Sequence, residues 1–95
     1  MQLAEIIGTV VATRKEESLR GVKLLVLKVI DIDRKPTGGY VVAVDAVGAG
    51  TGEIVLFASG SSSRMTPLTQ DRPVDAVVMA IVDSLEIDGR FVYEK

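Results

Sequence analysis

The sequence predicts a mainly β fold: a small closed or nearly closed barrel of five or six strands with one helix. Three observations carry this. Short segments rich in Val, Ile and Leu recur along the 95 residues, separated by clusters of Gly, Pro, Asp, Ser and Thr. Several of these segments are apolar on both faces, whereas a strand with one wet face alternates. Only one stretch carries a helical stripe. Closure into a barrel is the natural way for so short a chain to hide its sheet edges.

Gln2 to Thr13 is β-branched and reads as the first strand, with Gly8 inside it marking a bulge or bend. Arg14 to Gly21, "RKEESLRG", is a charged loop ending on a turn residue. Val22 to Ile30 is a second strand, with Leu24, Val26, Lys28 and Ile30 on one face and Leu25, Leu27 and Val29 on the other. Asp31 to Gly39 is dense in turn formers, so the chain reverses there. Tyr40 to Val47 and Glu53 to Ser59 are the third and fourth strands; in the fourth, Ile54, Leu56 and Ala58 oppose Val55 and Phe57.

Residues 72–84, "RPVDAVVMAIVDS", are the helix candidate. Pro73 suits a first helical position, Asp75 a first turn, and Val74, Val77, Val78, Ile81 and Val82 form a stripe at helical spacing. A buried strand is the competing reading of "AVVMAIV". The tail holds Asp88-Gly89, a hairpin signal between short strands. No repeat or linker divides the sequence, which is expected to be one domain over residues 1–95.

Composition narrows the function. The sequence is 47% hydrophobic and 25% charged with a net charge of −2, which is globular rather than disordered. A domain of this size buries only roughly 60–65% of its unfolded surface. Much of its apolar content therefore stays at the surface of a monomer, and the mean hydropathy of +0.33 favours an oligomer. There is no Cys and no His, which removes disulfides, thiolate ligands, the commonest general base and the commonest zinc ligand. The N-terminal "MQLAEIIGTVV" does not read as a signal peptide, no apolar run approaches membrane-spanning length, and the expected location is cytoplasmic. An acidic pI of about 5.0 and 4% aromatics argue against nucleic-acid binding.

"DAVGAGTGEIVLFASGSSSR", Asp45 to Arg64, has the look of a binding loop. Gly48, Gly50 and Gly52 follow G-x-G-x-G, not the dinucleotide fingerprint, and the next residue is Glu53 leading into a strand rather than a helix N-terminus. A phosphate there would meet a carboxylate. The serines around Gly60 lack a base and an orienting partner, so they read as a hydrogen-bonding loop with Arg64 available to a neighbour. Asp45, inside an apolar strand, reads as an acceptor for the backbone N–H groups of the adjacent loop rather than as a general base. The "TRKEES" loop and Lys23 form a mixed charge cluster, fit for a solvated rim or for contact with a neighbouring protein.

Three blocks, "GTVVATRKEESLRGVKLLVLK", "YVVAVDAVGAGTGEIVLFASGSSSR" and "PVDAVVMAIVD", together resemble the successive signatures of the EutN/CcmL family, the vertex proteins of bacterial microcompartment shells. The resemblance covers nearly the whole sequence; the Asp31–Gly39 turn and the tail after Ser84 are the parts expected to vary. It implies a five-stranded OB-like β-barrel with one short helix, assembling as a cyclic homopentamer that caps shell vertices among hexameric shell proteins. The implied role is structural and non-enzymatic, without cofactor, metal, nucleic-acid or membrane partner, in the shell of a microcompartment in the bacterial cytoplasm. A closed ring brings five identical loops to one axis, and small residues let backbones approach there. Gly48, Ala49, Gly50, Thr51, Gly52 and Glu53 are expected to form that axis or pore loop. Arg14, Lys15, Ser61, Ser62 and Arg64 are expected at subunit or shell contacts, with Asp45 supporting the loop. The alternatives are an OB-like ligand- or nucleic-acid-binding module and a small enzyme using Asp45 or Glu53.

Overall fold

The computed structural model describes all residues except Asp71 and Pro73. Among the described residues seven strands follow one another: β1 (Gln2–Val10), β2 (Leu24–Ile30), β3 (Pro36–Asp45), β4 (Ile54–Ser59), β5 (Ala76–Ile81), β6 (Ser84–Ile87) and β7 (Arg90–Glu94). The first five close a barrel in the order β1-β2-β3-β5-β4, and β6 with β7 forms a separate two-stranded sheet. Every barrel pairing is antiparallel except β3 with β5, which run parallel. This is a five-stranded barrel of the OB kind. Helix among the described residues is confined to two 3-10 turns, Glu17–Leu19 and Gly60–Arg64.

The barrel interior is filled by Ala4, Ile6, Leu25, Leu27, Ala43, Ala49, Val55, Phe57, Ala76 and Val78. Alternation along each strand delivers them: Leu25 and Leu27 from β2, Val55 and Phe57 from β4. The apolar residues on the outer faces collect in a second cluster, where Val22, Val44, Ala58, Val74 and Val77 pack with Leu19, Leu24, Leu68 and Met79. The strands are apolar on two faces because the segments after β1 and after β4 fold back over part of the barrel's outside. That cover is incomplete. Ile7, Tyr40 and Val42 remain exposed on the outer surface.

The helix expected over 72–84 is instead β5. Ala76 and Val78 point into the barrel while Val77 and Met79 join the outer cluster, a period of two. With both faces buried, the strand leaves no polar positions to reveal that period, and a valine-rich run then also satisfies helical spacing. Pairing with β4 on one side and β3 on the other decides in favour of extended backbone. Pro73, read as the first helical residue, lies outside the described residues.

Local chemistry sets the other turns. At Gly8 the β1–β2 register shifts by one residue, the bulge its glycine predicts. The β2–β3 reversal is shorter than 31–39: the Asp31 carboxylate accepts from the N–H groups of Asp33 and Lys35, both at 2.9 Å, and β3 begins at Pro36. The β6–β7 turn has positive φ at both Asp88 (53°) and Gly89 (77°), as a two-residue I′ hairpin requires.

Candidate functional site

The loop between β3 and β4 runs across one end of the barrel and is held from four sides. Asp45, at the end of β3, is 8% exposed. Its Oδ1 accepts from the N–H groups of Val47 at 3.0 Å, Gly48 at 3.0 Å and Ala49 at 3.2 Å. Gly48 turns with φ of 78°, which directs successive N–H groups inward at low steric cost. Ala49 is fully buried, its methyl group part of the barrel interior. Lys23 reaches across from the start of β2; its Nζ donates to Ala49 O at 3.1 Å and stands 3.8 Å from Asp45 Oδ2.

The second half of the loop rests on Glu53. Its Oε1 accepts from Gly50 N–H at 2.6 Å and its Oε2 from Lys95 Nζ at 2.6 Å. The Lys95 ammonium, and after it the Gly50 N–H, hold the Glu53 carboxyl below the usual carboxylate range. In turn, the Glu53 carboxylate raises the Lys95 pKa. Gly52 donates to Ile6 O at 2.8 Å, and Ile6 donates to Glu53 O at 3.0 Å, tying the loop to β1. Gly48, Thr51 and Gly52 lie at the surface, with Gly50 half-buried. The loop therefore presents a small-residue backbone surface whose shape is set within the chain.

The serine stretch is a 3-10 turn rather than an open loop. Ser62 Oγ donates to Ser59 O at 2.8 Å, and buried Ser63 donates to Gly60 O at 2.6 Å and lies 3.0 Å from Val74 O. Arg64 also donates to Val74 O, at 3.0 Å, so its reach is directed along its own chain. Ser61 is exposed on the outer side of the turn. Arg14 and Lys15 lie exposed between β1 and the Glu17–Leu19 turn and make no hydrogen bond or ion pair among the described residues. The structure thus assembles Asp45, Gly48, Ala49, Gly50 and Glu53 into one bonded unit, to which Lys23 and Lys95 are additions. Sequence reading left both lysines without a place in the loop, because they lie 26 and 42 residues from their partners. Lys23, placed only in a charge cluster, had one usable signal: an isolated cation at the mouth of an apolar strand.

Chemically, the unit is saturated. Both carboxylates are engaged by N–H or ammonium donors, and no group of His, Cys, Asp and Glu that could hold a metal occurs among the described residues.

Residues 1–83 match the family model described as ethanolamine utilisation protein EutN/carboxysome. The chain belongs to the EutN/CcmL family. It is 47% identical over 95 residues to the carboxysome shell vertex protein CcmL of Gloeobacter violaceus, covering all of this chain and 95% of that protein. A solved structure of Gloeobacter violaceus CcmL superposes with a TM-score of 0.95, covering all of this chain and 98% of that one. The microcompartment shell vertex protein EutN of Salmonella typhimurium is 42% identical, with 100% of this chain and 96% of that protein covered. The pentameric microcompartment shell protein GrpN of Rhodospirillum rubrum is 48% identical with a TM-score of 0.82, over 92% of this chain and 100% of that one. Family membership accounts for the barrel, and the pentameric relative agrees with the apolar outer surface a single chain leaves uncovered.

Replacing Asp45 with Ala strands three N–H donors, one of them buried; the expected cost is about 2–4 kcal/mol of unfolding free energy, read from urea midpoints. Asp45→Asn keeps one acceptor oxygen and is expected to lose less, with faster amide exchange at Gly48 and Ala49 as the local signature. The Glu53 pair carries its own pH dependence. Its folded carboxyl pKa lies below the ordinary value, so its contribution is complete above that ordinary value and is lost as pH falls through the lower folded one. An NMR titration is expected to show the Gly50 amide and Lys95 Nζ signals shifting together at that lower midpoint, and Glu53→Gln to abolish the transition.

Proposed function

We propose that this protein is a structural component of a bacterial microcompartment shell: five copies close into a ring that caps a vertex of the polyhedral shell in the bacterial cytoplasm. The observation that carries this reading is the match, along essentially the full length, to proteins named as shell vertex proteins, with structural neighbours named as pentameric shell proteins. We take residues 1–95 as one domain in that role. A head-to-tail ring needs two different patches that meet with a closing rotation, and a barrel whose outer face is only partly covered supplies apolar surface for one. The ring meets hexameric shell proteins at its perimeter. Its role is non-catalytic, without cofactor, nucleic acid or membrane, in keeping with a loop whose carboxylates are already engaged.

In this reading the Gly48–Glu53 loop faces the fivefold axis and borders any central pore. Support comes from its small, backbone-rich surface and from bonds that fix its shape before assembly. Arg14 and Lys15 contact a hexamer or the next protomer, with Ser61, Ser62 and the donors of Arg64 not used on Val74 on the same perimeter.

The native mass of the purified protein tests the ring; five subunits are expected and a monomer overturns it. Gly50 offers a sharper probe of the axis. Its φ is not left-handed, and a Cβ there meets only Glu53 Oε1 at an ordinary 3.6 Å, so a side chain fits within one subunit. Gly50→Val is therefore expected to weaken the pentamer by crowding between copies, seen in analytical ultracentrifugation, with the isolated barrel still folded. Unchanged assembly removes the loop from the axis. Reversing Arg14 and Lys15 to Glu is expected to leave the ring's mass intact while impairing closure of shells co-expressed with hexameric shell proteins. Normal closed shells in electron micrographs exclude that contact.

A further inference from the structure

Arg34 breaks the local rule of its turn. Between β2 and β3 the chain reverses through a three-residue loop, Ile32 to Arg34. Asp31 N–H donates to Lys35 O at 2.9 Å and Arg34 N–H to Asp31 O at 2.9 Å. A loop of this length closes with its third residue in the left-handed region, where glycine is the ordinary occupant and Asn or Asp is tolerated. Arg34 takes that place with φ of 65°. A long side chain gains nothing locally from this conformation, and a residue held there against its preference points to a use elsewhere. The Arg34 guanidinium forms no ion pair among the described residues, neither with Asp31 nor with Asp33. It lies over the Tyr93 ring, 4.8 Å from its centre.

Tyr93 belongs to the β6–β7 hairpin, where it pairs with Leu85. No ladder joins this hairpin to the barrel. Val82 N–H still donates to the barrel, to Ile54 O at 2.8 Å, and β6 begins two residues later at Ser84. Asp83 lies between them as a single-residue hinge; its carbonyl accepts from Lys95 N–H at 2.8 Å across the base of the hairpin. An isolated two-stranded hairpin is marginal in water, and one on such a hinge swings unless side chains fix it. Two do so from separate parts of the barrel. Lys95 Nζ bonds to Glu53 Oε2 at 2.6 Å, just ahead of β4. Arg34 reaches Tyr93 from the β2–β3 turn. One contact beside a hinge still permits rotation about the line that joins them, and a second contact from another element removes it.

We propose that Arg34 is a positioning residue for the hairpin: its left-handed backbone is kept because from that place the guanidinium clamps Tyr93 and sets the angle at which the hairpin leaves the barrel. Arginine suits this task. Its planar head covers the face of a ring, and its charge does not depend on pH. The clamp forms within one chain and stands independently of the ring reading above. It also ties a turn inside residues 1–83, the part the family model matches, to strands that lie beyond it.

Arg34→Gly suits the turn and removes the clamp, so the two sites are expected to respond with opposite signs. In hydrogen exchange on the native protein, the amides of residues 33–35 are expected to keep or gain protection. Those of β6 and β7 are expected to exchange about two- to fivefold faster, the equivalent of one exposed cation–π contact. Tyr93→Leu is expected to speed the hairpin by the same factor without changing the turn, and the double variant to be no faster than either single one. Arg34→Lys keeps the charge without the planar head and is expected to fall between. An NMR readout reports the contact itself, whatever else covers the hairpin: the Arg34 Nε–H resonance is expected upfield in the wild type, under the ring, and at its ordinary position in Tyr93→Leu. Far-UV circular dichroism verifies that each variant folds. Hairpin exchange unchanged by Arg34→Gly, additive effects in the double variant, or an Arg34 resonance that Tyr93→Leu does not move overturns the clamp.

Discussion

The barrel closes through two residue pairs. Val44 with Val77 and Asp45 with Val78 are the whole of the β3–β5 junction, and they are parallel where every other pairing is antiparallel. A parallel neighbour cannot be reached by a tight turn; the chain must cross over. It does so by way of the glycine loop, β4 and the segment from Gly60 to Asp75, and each of these takes its position from the need to bring β5 alongside β3. Asp45 stands at the centre of that closure. Its N–H donates to Lys23 O at 2.9 Å, its backbone is in register with Val78, and its carboxylate holds the next turn of chain. One residue therefore joins the last ladder position of the barrel to the first bonds of the loop.

The same closure explains why the outer face of the barrel is so apolar. The described residues between β4 and β5 return over the barrel's outside, where Val74 and Leu68 pack on Val44, Ala58 and Val77. Ser63 and Arg64 bond back to Val74 O, so the serine turn works as a strap that keeps the return segment against the barrel. The strap stops short of the Tyr40 end of β3 and of Ile7 on β1. A chain this short has too little length to cover all of its own barrel, so apolar surface left there is a consequence of size as much as of function.

What could be read from the sequence was what local chemistry decides. The bulge at Gly8, the turn at Asp88-Gly89 and the sharing of faces within β2 and β4 each follow from a few adjacent residues, and the structure has them in place. The glycine loop's failure to match a phosphate site was equally local, because Glu53 follows Gly52 directly. The identity of β5 was not local. Val77 and Val78 sit between β3 and β4, and only those partners make the segment a strand. The strand pattern and the resemblance both pointed to the barrel, and the resemblance to its family, while the periodicity of 72–84 pointed to a helix there. Lys23 and Lys95 were out of reach for the related reason that a long side chain's destination depends on tertiary geometry, and nothing in "GVKLL" or "YEK" names an acceptor.

The loop and the hairpin are held in opposite ways. The loop is bonded at Asp45, Glu53, Lys23 and Ile6, so its surface has already lost conformational freedom within the chain. Binding to it costs little further ordering. The hairpin has its internal ladder and a few polar ties, and Phe91 on it stays exposed. Lys95 belongs to both, since its ammonium closes the loop through Glu53 while its N–H closes the base of the hairpin on Asp83. The base of the hairpin and the second half of the loop are thus joined through one residue within the chain.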